Sequence, residues 1–574
     1  MVGQWRTRSG RSHTKVRPAP EEEYPLTAPF HLEKLLFTPA TPADQAATVV
    51  FAFPNEYTIG ITSLGYQVIW AMLAQRSDLA VSRLFTDGHE PLPTQIELLG
   101  FSMSWELDYA NILTQLESLD VPILAGDRGN EHPLVFGGGP VLTANPEPFA
   151  AFFDVLLLGD GEVVLDAFID AYQTVRDCDR PTQLRRLAQV PGVYIPALYE
   201  PIYDSPTGAI AAIQPIDADI PAVVEKQTYR GNTLSTSSVV TEQAAWENIY
   251  MVEVVRSCPE MCRFCLASYL TLPFRTAPVA GGLIPAVEKG MAVTDRLGLL
   301  GASVTQHPEF DDLLDYLNQP QFDDMRLSIA SVRTNTVNQK LTKTLTRHGT
   351  KSITIAIESG SERVRQIVNK KLATDDIVAA AVNAKAGGLS ALKLYGMAGI
   401  PGELPEDLET TADLMLQLKK AAPGLRLTLG CSTFVPKAHT PFQWYGVNPQ
   451  ADKRLKRLQK RLRPNGIDFR PESYNWSIIQ ALISRGDRRL TPLLLQAREF
   501  GDSLGSYKRA FKALKGELPP LDFYVHAHWE RDQPLPWDHL QGLLPKATLL
   551  KHLDSATSHF APDTPTPVLA ASQS

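Results

Sequence analysis

Two successive series of short apolar runs, each alternating with helical patterns, constrain this chain more than any other feature. From about residue 30 to 195 the runs TVVFAFP, LAVSRLFTD, LLGFSMSW, PLVFGGGP and FDVLLLGDGE recur, with the helical stretches SLGYQVIWAMLAQ and NILTQLESL among them. Such repetition predicts a parallel sheet with helices on both faces. The absence of strict alternation within the runs suits strands buried on both sides. A Rossmann-like domain over 30–195 follows.

Residues 196–245 hold several prolines and end in the polar run GNTLSTSSVVTEQ, which reads as a connector. The second series then starts with NIYMVEVVR and continues through RLGLLGAS, RLSIASVR, SITIAIESGS, ALKLYGMAGIPGE and LRLTLGCSTFVPK. Six such units predict an α/β partial TIM-type barrel, (βα)6, over 246–445. Residues 446–555 read as a small, mainly helical C-terminal domain. Residues 1–29 read as a disordered basic arm carrying Arg6, Arg8, Arg11, Lys15 and Arg17, and 556–574 as a disordered tail.

The formal net charge is −8, so no global positive field draws the molecule to nucleic acid or anionic lipid. The cationic segment Lys453, Arg454, Lys456, Arg457, Lys460, Arg461 and Arg463 reads most simply as a solvated helix, with RNA or another anionic ligand as the alternative. No stretch approaches the roughly 18 apolar residues that cross a bilayer, and the N-terminus lacks the apolar run of a secretory signal. A cytoplasmic protein is expected. Five cysteines in 574 residues do not make a disulfide framework. Three of them fall in VEVVRSCPEMCRFCLASYL, which points to a metal or cluster site in a reducing compartment.

That segment sets an apolar strand directly before Cys258 and spaces Cys258, Cys262 and Cys265 as C-x3-C-x2-C. Three thiolates on one tight loop can hold three irons of a cubane, which leaves the fourth iron without a protein ligand. Structural zinc, the alternative, wants four ligands, and only the distant Cys431 or His307 offers a fourth.

RSCPEMCRFC, including Phe264 before the last cysteine, resembles the motif of the radical S-adenosylmethionine superfamily. The resemblance implies a 4Fe-4S cluster whose open iron is chelated by S-adenosylmethionine. It also implies reductive cleavage of the sulfonium to a 5′-deoxyadenosyl radical, and an electron donor such as flavodoxin or ferredoxin. Cys258, Cys262 and Cys265 are then the metal ligands and the catalytic centre. Chemistry in βα barrels gathers at the C-terminal strand ends. The resemblance accordingly assigns Gly301 and Ala302 to the methionine amino group, although the usual Gly-Gly-Glu is here Gly-Ala-Ser. Ser331 and Arg333 fall to the ribose and carboxylate, a guanidinium suiting a carboxylate. Glu358 and Ser361 are assigned to the cofactor as well. Gly399 and Ile400, with Gly396 and Gly402, are assigned to the adenine pocket. Lys437 and His439 either face substrate or seal the barrel, and Cys431 reads as a buried hydrophobe.

The order of a Rossmann-like domain and then a radical barrel resembles radical enzymes with a cobalamin-binding domain. It carries through FGGGPVLTANPEPFAAFFDVLLLGDGE, VPKAHTPFQW, ISRGDRR and LPWDH. Ser102, Ser104, Gly137 and Gly138 would then cradle the corrin. No histidine stands in the loop PNEYTIGITSLG to ligate cobalt from below, and Asp87-Gly88-His89 reads as a turn. Asp160 and Glu162 at a helix start suit either a nucleotide tail or simply the helix dipole. The expected function is radical cleavage of S-adenosylmethionine, with cobalamin for methylation or rearrangement of an unactivated carbon. The alternatives are a radical enzyme whose Rossmann-like domain binds substrate without cobalamin, and a non-catalytic iron-sulfur or corrinoid sensor. A methylthiotransferase would need three further cysteines in the N-terminal domain, where only Cys178 stands.

Overall fold

In a computed structural model, strands β1 (Ala47–Ala52), β2 (Leu79–Phe85), β3 (Leu98–Ser102), β4 (Leu134–Gly138) and β5 (Val155–Leu157) form a parallel sheet in the order β2-β1-β3-β4-β5. The structure describes residues 29–231 and 234–561; nearly all of the expected arm and most of the tail lie outside them. Short antiparallel strands at Gly88–His89 and Val193–Tyr194 finish the two edges. Helices α1 (Leu64–Ala74) and α2 (Tyr109–Ser118) are crossovers, and α3 (Gly161–Val175) follows β5 on the way to the antiparallel edge. Val49, Val50, Leu98, Leu99, Val135, Val155 and Leu156 are all fully buried, as expected of strands covered on both faces. The order reverses between β1 and β3, which makes their C-terminal ends the crevice where such sheets receive ligands.

The second series folds as β6 (Ile249–Arg256), β7 (Arg296–Gly301), β8 (Arg326–Ile329), β9 (Ser352–Glu358), β10 (Ala391–Ala398) and β11 (Arg426–Thr433), all parallel. A single bridge, Val332 to Ile355, joins the β6-β7-β8 half to the β9-β10-β11 half. Helices α4 (Ile284–Met291), α5 (Phe310–Leu317), α6 (Gln339–Arg347), α7 (Thr374–Ala386) and α8 (Pro405–Ala421) cover the outside. Leu297, Leu299, Ile353, Ile355, Leu392, Leu394, Leu427 and Leu429 point to these helices and make the barrel core.

The expected end of the barrel at 445 is exceeded. Helix α9 (Ala451–Leu462) is one more crossover, and β12 (Asp468–Pro471) adds a parallel strand beside β11. Leu455, Leu458 and Leu462 of α9 join the barrel core, while its cations meet acids of α8: Arg457 with Glu409, and Arg461 with Glu409 and Asp413. The basic segment is thus a crossover helix packed through its leucines, with Arg454, Arg457 and Arg461 paired to acids and Lys453 and Lys460 exposed. No described strand bonds β12 back to β6, so the barrel stays open.

Helices α10 (Tyr474–Arg485), α11 (Leu490–Glu499), α12 (Leu504–Ala513) and α13 (Lys546–Thr557) follow. Their apolar faces share one core with the N-terminal sheet. Tyr109 of α2 meets Tyr507 of α12, hydroxyl to hydroxyl at 2.9 Å, and Asn145 donates to the carbonyls of Ser484 and Gly486.

Candidate active site

The loop after β6 carries the three cysteines and is held from outside. Ser257 (φ 69°) and Met261 (φ 52°) both take left-handed conformations without being glycine, a strain that persists where the surroundings over-determine the backbone. Those surroundings are visible. The Asn369 amide donates to the carbonyls of Glu260 (2.9 Å) and Met261 (3.0 Å), and the Arg263 guanidinium donates to those of Gln366 and Ile367, both at 2.7 Å. The Tyr269 hydroxyl donates to Met261 O at 3.2 Å.

Cys262 is buried, and Cys258 and Cys265 are half-buried. Burial pushes the Cys262 thiol up to about 12, against the opposing pull of Lys370 and Arg333. A thiolate there therefore needs a cation. Among the described residues no three or more Cys, His, Asp or Glu side chains converge on one point as for a single ion. A cubane asks for less convergence, because each thiolate takes a different iron corner. His307 cannot complete a zinc site: Nε2 meets Ala277 O at 2.7 Å and Nδ1 accepts from Glu309 N at 3.0 Å. Cys431 sits in the helix-facing barrel core. The donor set fits an iron-sulfur cluster and lacks the fourth ligand of structural zinc.

Around this loop stand the ends of the other strands. Gly301 (φ 148°) ends β7 beside Val255, where a Cβ would lie 2.5 Å from the Val255 carbonyl oxygen. Ala302 is half-buried next to it. Gln306 then donates to Glu260 Oε1 at 2.5 Å. Arg333 is buried, with Nη2 3.3 Å from Glu260 Oε2 and 3.1 Å from Lys371 O, yet its Nε has no hydrogen-bond partner. Such an orphaned donor is costly unless a further group accepts it. Ser331 lies half-buried two residues before. Glu358 ends β9 left-handed (φ 62°), and its Oε1 accepts from Lys370 Nζ at 2.9 Å, both side chains buried.

Other predicted residues are engaged elsewhere. Ser361 caps the helix Glu362–Ile367 and donates to Asp407 Oδ1 at 2.6 Å. Ile400 lies in the core and Phe264 packs against it. Gly399 (φ 81°) donates its N–H to Glu403 Oε2 at 2.7 Å. Glu260, Gln306 and Lys370 escaped the sequence reading. Lys370 had a usable signal, since a carboxylate at the end of an apolar strand calls for a cation within reach.

The N-terminal sheet presents its C-terminal ends to the same region, the short helix Pro140–Ala144 lying against Leu266–Leu270 of the cysteine loop. Ser102 and Gly138 pair across β3 and β4, half-buried, and Ser104 follows. Gly138 is open, a Cβ there meeting nothing nearer than Leu157 O at 3.6 Å. Gly137 instead faces inward, where a Cβ would strike Phe153 (2.6 Å) and Leu142 (2.7 Å), so it serves packing. Asp160 accepts from Arg275 (2.7 Å) and Glu162 from Arg256 (2.6 Å), which engages both acids with the barrel. Gly88–His89 forms a two-residue edge strand, and His89 Nδ1 lies 2.7 Å from Glu90 O. Lys437 reaches out of the barrel to Glu106, to which Ser484 also donates at 2.9 Å. His439 Nε2 meets Ala144 O at 3.0 Å. Lys437 and His439 thus join the barrel to the first sheet.

Residues 252–415 match the family described as the radical SAM superfamily. The chain carries a radical SAM domain. Residues 83–196, ahead of that domain, match the family described as radical SAM proteins, N-terminal. An uncharacterized protein of Methanocaldococcus jannaschii is 28% identical over 453 residues, covering 78% of this chain and 90% of that one. An uncharacterized methyltransferase of Pyrococcus horikoshii is 24% identical, covering 49% and 57%. Among solved structures, the radical S-adenosylmethionine methyltransferase TsrM of Kitasatospora setae, with cobalamin and a 4Fe-4S cluster bound, is 12% identical. It covers 70% of this chain and 77% of its own at a TM-score of 0.47. The radical SAM domain begins within β6 and runs into α8, and so contains the cysteine loop and every strand end just described as far as Gly402. No helix of the described residues is long and apolar enough to cross a membrane.

Proposed function

We propose that this chain is a radical S-adenosylmethionine enzyme whose cluster is held by Cys258, Cys262 and Cys265. The observation that carries the reading is the three-cysteine loop at the C-terminal end of β6, braced from outside and flanked by the buried Arg333 with its free Nε and by the Lys370–Glu358 pair. When bound, the cluster supplies a low-potential electron to the sulfonium. The chain's own residues bind and orient. Arg333 and Lys370 offer cations suited to the methionine carboxylate. The positive-φ turn at Gly301 would let the backbone approach the cofactor closely. Glu358 is the acceptor available to ribose hydroxyls. The electron comes from a partner of the flavodoxin or ferredoxin kind.

For the first domain, the reading extends to cobalamin, which when bound would supply either a methyl carrier for methylation of an unactivated carbon or radical chemistry for its rearrangement. The parallel order β2-β1-β3-β4-β5, the open ends at Ser102, Ser104 and Gly138, and their position against the cysteine loop support it. The printed name of the Pyrococcus relative agrees with a methyl transfer. A second reading, in which this domain binds substrate without a corrin, is favoured by Glu106: the crevice end of β3 is covered by Lys437 and Ser484.

Anaerobic reconstitution with iron and sulfide, followed by assay for 5′-deoxyadenosine, tests the main reading. The native chain is expected to bind about four irons and release the nucleoside, and the Cys258→Ala, Cys262→Ala, Cys265→Ala triple variant to do neither. Equal product from both would overturn the proposal. Corrin copurifying with the native chain separates the first reading from the second.

A further inference from the structure

In a closed TIM-type barrel the inward side chains fill the interior. Here the inward face is wet. Ser328 and Lys393 are exposed and Tyr395 is 41% exposed, although Leu327, Leu392 and Leu394 beside them in the strands are buried. At the foot of this concave face, opposite the cysteine loop, lies a cavity of about 370 Å³ lined by Ser352, Lys393, Arg426, Thr428, Asp468 and Arg470.

The charge at the foot is unbalanced. Asp468 accepts from Arg470, Nε and Nη2 both at 2.7 Å, and from the Thr428 hydroxyl at 3.4 Å. That pair neutralises itself. The side chains of Lys393 and Arg426 have no hydrogen-bond or ion-pair partner among the described residues. Above them the Tyr395 ring lies on Gly430, where a Cβ would come 3.0 Å from the ring. Lys393, Tyr395 and Met397 follow one another on the same face of β10, and spacing along a strand puts Met397 about 13 Å above Lys393, toward Glu358. The lumen therefore runs from a cationic foot, past an aromatic surface, to the strand ends at which the cysteine loop stands.

We infer that the foot of the lumen is an oxyanion subsite, with Lys393 and Arg426 holding a phosphate or carboxylate at the far end of an elongated substrate. The inference rests on the proposed radical site at the top of the same lumen, which is where the other end of such a substrate would react. Arg426 can grip either oxyanion in bidentate fashion, Lys393 adds a point charge, and the Ser352 hydroxyl adds a donor. Tyr395 offers its face to an apolar or planar middle.

Calorimetric titration of the purified full chain at low salt with pyrophosphate, and separately with citrate, tests the subsite. One or both anions is expected to bind saturably at one site per chain, and Lys393→Ala with Arg426→Ala to weaken that binding about tenfold or more. Which probe binds assigns phosphate or carboxylate. Arg426→Lys, which keeps the charge and removes the fork, should retain part of the affinity. Thermal melting of each variant reports whether it is folded. Binding of neither anion, or equal binding by a folded double variant, would overturn the inference. The titration needs no cluster, so its failure leaves the cysteine reading standing, and failure of the iron assay leaves anion binding to be judged by itself.

Discussion

Several single residues hold conformations or charges that only their surroundings permit. Glu358 is left-handed, buried and paired with Lys370. A buried pair gains little over an apolar substitute, whereas removing one partner leaves the other uncompensated at about 3–5 kcal/mol. Lys370→Met should therefore cost about that much in chemical denaturation, and adding Glu358→Gln should recover a good part of it. A Lys370→Met chain as stable as the native one would show that Glu358 does not need the ammonium. At Gly301, alanine would meet both the positive φ and the Val255 carbonyl. Gly301→Ala is expected to lower stability by about 1–3 kcal/mol.

At the scale of elements, α9 keeps Lys453, Lys456, Arg457 and Lys460 exposed, as expected of a solvated helix, while its other face is packed. Its leucines are buried in the barrel core, and its arginines lie along the acidic face of α8. Exposed pairs of this kind are worth about 0–1 kcal/mol, while truncating a buried leucine costs about 2–5 kcal/mol. Arg457→Ala should leave the denaturation midpoint nearly unchanged, and Leu458→Ala should lower it clearly. Urea unfolding of the two variants side by side measures the contrast. If the arginine proved the more costly, α9 would be held by its charges and not by its packing.

For the whole molecule, the decisive feature is that the C-terminal helices share a core with the N-terminal sheet. Within that interface Glu147 is wholly buried, bonded to Tyr194 at 2.5 Å and Arg488 at 2.7 Å, with His539 Nε2 3.6 Å away. Burial holds His539 down at about 4, with Arg488 adding to the effect and Glu147 opposing it, and burial holds His439 at about 4 as well. In the unfolded chain these imidazoles take up protons near pH 6.5. Between about pH 6.5 and 4 the unfolded state thus binds more protons than the folded one, so stability falls as pH falls. For His539 the loss on going from pH 7 to 4.5 is about 2–3 kcal/mol. Guanidinium unfolding of His539→Gln should show a pH dependence flatter by that amount, and an unaltered slope would mean that His539 is solvated in the folded chain.

Sequence by itself determined the two βα series, their parallel sense and the cysteine loop, because strand burial and ligand spacing are local properties written into neighbouring residues. It also put Gly301, Arg333 and Glu358 at strand ends, since chain order fixes which residue follows a strand. Tertiary structure alone decided what those residues meet. Lys370 reaches Glu358 only after a helix turns the chain back, and Ser361 is drawn to Asp407 across a helix pair. Asp160 and Glu162 find arginines of the other domain, and β12 is a strand because β11 offers it an edge. Contacts between residues far apart in sequence depend on how the sheets pack, and no local pattern encodes that geometry.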